Sequence, residues 1–385
     1  MNLPWTALSP NSSEAAQALR WQLGLLLTLL LTGLVAMSSA SVEHAAATYG
    51  DAFYHVKRHG LHLVLGLLAL GVTVMLPLDF WRRTGGLWLL AGLALLVLVL
   101  VPGIGREING SRRWLPLGPF SLQASEVMKF CLLVYLAGYL ERRALRVQQH
   151  WRGFLNPMLV VFLVLLLLLA EPDFGATVVT VVTAMGMIFL AGVRLGQFLA
   201  LLGSGLLALG LVVVAEPYRV KRLVAFTDPW ADQFNSGYQL TQALIAFGRG
   251  EWLGVGLGNS VQKLFYLPEA HTDFVFAIWA EEFGLLGALA VLAAFAGLVA
   301  AVLRIGRSAE RRELRFGAWL CYGAALLISG QVFINVGVNT GLLPTKGLTL
   351  PFFSYGGSSV LVTLALMGLV WRVALELPRQ RGGQR

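Results

Sequence analysis

Apolar residues fill this chain in ten long blocks, near 21–40, 61–79, 86–102, 122–140, 154–170, 175–193, 197–215, 274–303, 316–339 and 359–377. Each approaches the ~20 residues that carry an α-helix across a bilayer. The pattern predicts an all-α integral membrane protein with ten transmembrane helices. The eighth block is long for one crossing, so it is expected to tilt or to kink near Gly284. The first block ends in "AMSSA" like a signal peptide, but its apolar core exceeds the usual h-region, so it reads as an uncleaved span.

Ten crossings place both termini on one side, and the positive charges choose which. Arg142, Arg143, Arg146 and Arg152 follow the fourth block, and Arg304, Arg307, Arg311, Arg312 and Arg315 follow the eighth. Basic residues in short loops mark the cytoplasmic side, so both termini are expected there. Segment 1–20 is then a cytoplasmic start, 21–377 a ten-helix membrane domain and 378–385 a cytoplasmic tail. The informative loops at 103–121, 216–273 and 340–358 face outward. The longest, between helices 7 and 8, has an amphipathic stretch around Tyr238–Phe247 that suggests a short helix on the membrane surface.

Composition fits this class. Hydrophobic residues make up 57% of the chain and charged ones 13%, against about 45–50% and about 25% in soluble domains. The net charge of +9 is read by position, as an orienting device, and implies no nucleic-acid partner. Cys131 and Cys321 lie inside apolar blocks without ligand spacing, as small core residues do. Gly248, Gly250, Gly254, Gly256 and Gly258 follow no strand and precede no Gly-Lys-Ser/Thr, so they read as tight turns, whose N–H groups can also face an anion.

Ionisable residues inside or beside the blocks carry the candidate chemistry. Glu126 and Lys129, three apart, share a helix face; they form either a self-neutralising pair or a pair that also offers Lys129 to an anion. Asp173 in "EPDFG" reads as a cap for the sixth helix. In "LPEAHTDFVFAIWAEEFG" (267–284), Thr272 and Asp273 read as a helix start with a dipole-stabilised anion. Glu281 and Glu282, ~12 Å further along the helix, read as buried structural acids. Asn335 and Asn339, on one face of the ninth block, read as helix–helix glue.

Four segments, "NGSRRWLPLGPFSLQASEVMK" (109–129), "EPDFG" (171–175), "LPEAHTDFVFAIWAEEFG" and "GLLPTKGLTLPFFSYGGSS" (341–359), resemble the signature motifs of the SEDS family of shape, elongation, division and sporulation proteins. The resemblance spans essentially the whole chain, and the last motif is more similar to the division branch than to the elongation branch. Phe352 and Phe353 stand where smaller aliphatics are common, a difference of packing. The resemblance implies a peptidoglycan glycosyltransferase that polymerises lipid II at the outer face of the bacterial cytoplasmic (inner) membrane, at the division site. It implies a class B penicillin-binding transpeptidase and other divisome membrane proteins as partners. It places Asp273 on the proposed catalytic aspartate, within His271–Thr272–Asp273, and Glu126 and Lys129 on the family's charged pair.

That chemistry suits a single carboxylate. The 4-hydroxyl of one lipid-linked sugar needs a base to attack the anomeric carbon of another. Glycosidases need a second carboxylate as acid, whereas diphosphate leaves as a stable anion that cations stabilise. Arg112, Arg113, Lys129, Arg249, Lys263 and Lys346 are the candidate cations on the outer side. No cofactor is implied, and a divalent cation is left open without a ligand cluster to announce it. A lipid II flippase and a non-catalytic divisome scaffold are the alternatives from other classes.

Overall fold

The structure, a computed structural model, describes residues 13–108, 111–118, 120–214, 228–235, 237–344 and 347–377. Eleven helices and one small sheet follow in chain order among them: α1 (Ser13–Tyr49), α2 (Tyr54–Met75), α3 (Leu78–Leu100), β1 (Arg106–Ile108), β2 (Ser111–Leu117), β3 (Phe120–Gln123), α4 (Ala124–Gln149), α5 (Trp151–Ala170), α6 (Phe174–Leu190), α7 (Leu195–Val214), α8 (Tyr238–Gly250), α9 (Val275–Arg311), α10 (Arg315–Asn339) and α11 (Gly357–Glu376). Seven of these, α1, α2, α3, α5, α9, α10 and α11, are long and apolar enough to cross a membrane, and α6 is a shorter apolar helix.

Burial sorts the helices into layers. Most of the apolar window of α11 (78%) and of α10 (61%) is covered by protein, against 22% in α2 and 28% in α3. Hence α10 and α11 form the centre, while α2 and α3 leave Leu67, Leu68, Leu87 and Leu90 exposed. α2 packs on α11, α1 on α9, α9 on α10 and α3 on α4. Lipid tails give helices no hydrophobic reason to associate, so close packing and interhelical hydrogen bonds hold such contacts; Thr73 Oγ1 of α2 donates to Ala365 O of α11 at 3.0 Å.

Three expectations change. The sequence pattern puts the second and third helices at 61–79 and 86–102, with Arg82 and Arg83 between them. The break instead falls at Leu76 and Pro77. Proline forces its predecessor out of the helical region, and Leu76 is extended at φ −78°, ψ 130°. Arg82 and Arg83 therefore lie within α3 and pair with Asp79. The all-α expectation also fails in the loop at 103–121, which forms the antiparallel sheet β1–β2–β3. Paired strands satisfy the backbone groups of a loop pressed on a bundle. Finally, α1 continues well past residue 40, through "SVEHAAATY".

The kink expected near Gly284 is present. Gly284 adopts φ 66°, ψ −168°, which interrupts α9 and is open essentially to glycine alone. The freed backbone groups are taken by the turn that follows α8: Val255 N–H donates to Glu281 O, Gly256 N–H to Glu282 O, and Leu285 N–H to Glu251 O, at 2.9–3.0 Å. The expected amphipathic stretch is helix α8, packed on α9 and α10. Its glycine-rich sequel docks on the kink, where the Val255 and Gly256 N–H groups serve α9, while the Gly254 N–H closes a turn on Gly250 O.

Candidate active site

Asp273 lies two residues before α9, half-buried. Its side chain does not cap the helix, which corrects the expectation: the N-cap position is Phe274, with no side-chain cap bond. The Ala277 N–H donates instead to Phe274 O at 3.0 Å and to Asn339 Oδ1 from α10 at 3.2 Å. With that amide in place the Asp273 carboxylate is spared from the helix and faces Gly347, where an added Cβ would come within 3.2 Å of Oδ2. Thr272 turns away from Asp273, its hydroxyl donating to Glu269 Oε2 at 2.7 Å.

Burial raises the Asp273 carboxyl to about 7; Glu269 adds to the rise, Arg113 opposes it, and Asp173 adds a smaller push. This is the range a general base needs at neutral pH.

Arg113 reaches the site through the sheet. Trp114 of β2 opposes Arg106 of β1, and Arg112 opposes Glu107, so Arg113 is the extra residue of a bulge. Bulges re-aim a side chain, and Arg113 Nη1 stands 3.5 Å from Asp173 Oδ1. Asp173 is the expected cap of α6, accepting from Ala176 N–H at 3.1 Å. Gln123 Nε2 and Ser125 Oγ donate to its other oxygen, at 3.0 and 2.8 Å. A cap, a strand end and a helix start therefore converge on one carboxylate. Gln123 N–H further donates to Ser358 Oγ at 2.9 Å, tying β3 to α11.

The other predicted cations have different stations. Arg112 is exposed and pairs with Glu107. Lys129 and Glu126 form the expected pair at 2.8 Å, both buried in α4, and Lys129 borders a small cavity inside the bundle with Leu133, Thr180 and Thr183. Lys263 donates to Glu282 and to Ser39, each at 2.9 Å. Arg249 approaches Glu281 at 3.7 Å, and the same carboxylate accepts from Val261 N–H at 3.0 Å and from Ser260 Oγ. Glu281 and Glu282 are thus the structural acids expected, anchoring the loop after α8 to the kinked helix. Lys346 lies outside the described residues.

Sequence reasoning passed over two groups. Glu171 is fully buried with neither carboxylate oxygen hydrogen-bonded among the described residues. Burial, then Asp173, raises its carboxyl to about 8, with Arg113 opposing. The second group is aromatic: the rings of His44, His55 and Tyr355 surround His271, with centroids 5.3, 4.6 and 5.7 Å from it. Burial first, then His55 and His44, lowers His271 to about 3, so it stays neutral. Its carbonyl accepts from Tyr355 N–H at 2.9 Å, tying the Asp273 segment to the loop before α11. The signal was available in "HVKRHGLH", whose His55, His59 and His62 recur at i, i+4 and i+7 on one face of α2.

The family profile described as "Cell cycle protein", covering FtsW, RodA and SpoVE, matches residues 20–378. The chain belongs to this family. A protein of Marinobacter nauticus named probable peptidoglycan glycosyltransferase FtsW is 58% identical over 350 residues, 90% of this chain and 87% of that protein. A Hahella chejuensis protein of the same name is 54% identical over 374 residues, 96% and 94% of the two chains. Among solved structures, rod shape determining protein RodA of Thermus thermophilus matches with a TM-score of 0.69 at 30% identity, covering 92% of this chain and 96% of that one. A chain from a peptidoglycan synthase complex that coordinates polymerization and crosslinking matches with a TM-score of 0.75 at 31% identity, covering 92% and 97%. The fold is therefore the family's, with its membrane helices.

Proposed function

We propose that this protein is a peptidoglycan glycosyltransferase that polymerises lipid II, with Asp273 as its general base. The observation that carries the reading is the Asp273 carboxylate, spared from capping α9, raised to about 7 and electrostatically coupled to Arg113. The names and identities of the FtsW relatives support the activity and the division role.

In the reaction, Asp273 accepts the proton of the acceptor sugar's 4-hydroxyl as its oxygen attacks the anomeric carbon of the donor. The C1–O bond to the diphosphate breaks, and the polyprenyl diphosphate departs with the bonding electrons. Attack opposite the leaving group inverts the anomeric carbon. Arg113 supplies positive charge beside the base, and Arg112 is exposed on the same strand, paired with Glu107; Lys346 is the remaining sequence candidate for the diphosphate. Among the described residues no group of three His, Cys, Asp or Glu side chains is arranged to hold a metal ion, and every step above uses the chain's own groups.

The topology belongs to this reading: ten spans with cytoplasmic termini put the sheet, the loop around α8 and Asp273 on the outer face of the inner membrane, where the sugars lie. The solved synthase complex supports a crosslinking partner, a class B penicillin-binding transpeptidase, alongside other divisome proteins. A flippase would exploit intramembrane charge in transport, but Glu126, Lys129 and Glu282 each have a dedicated partner. The experiment is glycan-strand synthesis from lipid II by the purified protein with its transpeptidase, alongside transfer of dye-labelled lipid II across proteoliposomes. Strands without transfer are expected; transfer without strands overturns the reading.

A further inference from the structure

In an unbroken α-helix the carbonyl of residue 273 would accept from the N–H of residue 277. Here the Ala277 N–H turns to Phe274 O at 3.0 Å, and the carboxamide of Asn339 bridges the opened rung. Its Nδ2 donates to Asp273 O at 3.0 Å, and its Oδ1 accepts from Ala277 N–H at 3.2 Å. One turn earlier on α10, Asn335 Nδ2 donates to the same Asp273 O at 3.0 Å and to Leu348 O at 2.5 Å. The second N–H of Asn339 goes to Asn335 O at 2.8 Å.

Each amide has two N–H protons, and both side chains are buried, at 2% and 0% exposure. All four protons are spent, two of them on one carbonyl oxygen. Every acceptor around the two Nδ2 atoms in these bonds is a carbonyl and the donor at Asn339 Oδ1 is an N–H, so the amide orientations are fixed. Helix–helix glue would need only bonds between α9 and α10. This pair grips the residue just outside α9, and through Leu348 O it holds the loop whose Gly347 borders the Asp273 carboxylate.

We infer that Asn335 and Asn339 are positioning residues for Asp273: they hold it one step outside the helix and fix its distance to the 347–350 loop. The inference rests on the reading of Asp273 as the base. Both side chains are buried and act through Asp273. A misplacement of about 1 Å can cost about 100-fold in rate.

The test is steady-state strand synthesis from lipid II by the full chain with its transpeptidase, comparing wild type, Asn339→Leu, Asn335→Ala and Asp273→Ala. Asn339→Leu is expected to lose about 10- to 100-fold in kcat with KM for lipid II unchanged, and to displace the acid limb of the pH–rate profile. Asn335→Ala removes one tether and keeps the Asn339 bridge, so it is expected to show a smaller loss of the same kind. If Asn339→Leu fails to fold, the Asn335→Ala kinetics decide between positioning and structure. Wild-type kcat in the folded variants, or a loss that follows thermal stability while the pH limb stays fixed, overturns the inference. If Asp273→Ala polymerises normally, the reading of Asp273 as base fails instead; the two failures are distinct.

Discussion

Arg113 Nη1 stands 3.5 Å from Asp173 Oδ1, although the two residues come from a surface strand and from the turn before α6. The contact joins two sequence motifs: in 109–129 the bulged strand places the guanidinium, and Gln123 at the end of β3 and Ser125 at the start of α4 hold the carboxylate that the α6 cap in 171–175 supplies. Arg113 is therefore held by Asp173 while its charge acts on Asp273.

The acid limb of activity should lie near pH 7. A base must be deprotonated to work, so the rate falls as pH drops through the Asp273 value of about 7. Glu269 raises that value, so Glu269→Gln should move the limb to lower pH; Arg113→Gln, removing the opposing cation, should move it higher. Polymerisation rates between pH 5 and 9 give the result, and a limb unmoved by both substitutions contradicts the assignment.

Arg113 and Arg112 should separate in rate as well. Arg113→Ala removes a half-buried charge beside the base and is expected to lower kcat by about 100-fold, on the scale of losing one electrostatic donor. Arg112→Ala loses an exposed pair with Glu107, so a loss of at most about 1 kcal/mol in stability is expected. Parallel kinetics and melting curves check both.

The ionised Asp273 should weaken the fold. Its pKa is raised in the folded protein, so the folding penalty is full above pH 7 and disappears as pH falls below the ordinary value of 3.8. Asp273→Asn should therefore melt higher than wild type at pH 8, by about 1.4 kcal/mol for each pK unit the native site imposes. The gain should shrink toward pH 4; a gain independent of pH would point to another cause.

Lys263 and Glu282 test the loop anchor. Their 2.9 Å pair is buried at both ends, and removing one partner from such a pair costs about 3–5 kcal/mol. Lys263→Ala should be strongly destabilising, and adding Glu282→Gln should recover much of the loss. Gly284→Ala should cost about 1–3 kcal/mol through its backbone conformation alone, with a further loss because its Cβ would meet Gly254 N at 2.5 Å. Melting temperatures in detergent or nanodiscs decide both.

Helix positions were readable wherever apolar length dominated. The boundary at Leu76–Pro77 was missed because the arginines looked like loop residues, whereas α3 accommodates Arg82 and Arg83 by pairing them with Asp79. The Asp173 cap and the Glu126–Lys129 pair were legible because both are local in sequence. Asn339 in the rung between residues 273 and 277 was not, since the contact spans 62 residues. A bulge that aims Arg113 likewise depends on strand register, which no short motif encodes. Hydrophobic pattern thus finds the spans, and partners distant in sequence finish the site.

The role of Asp273 is tested most directly by glycan-strand synthesis from lipid II, comparing purified wild type with Asp273→Ala in the presence of the transpeptidase. The wild type should form strands, and Asp273→Ala, folded and partner-bound, should form none above background. Normal strand length and rate from Asp273→Ala would contradict its assignment as the base.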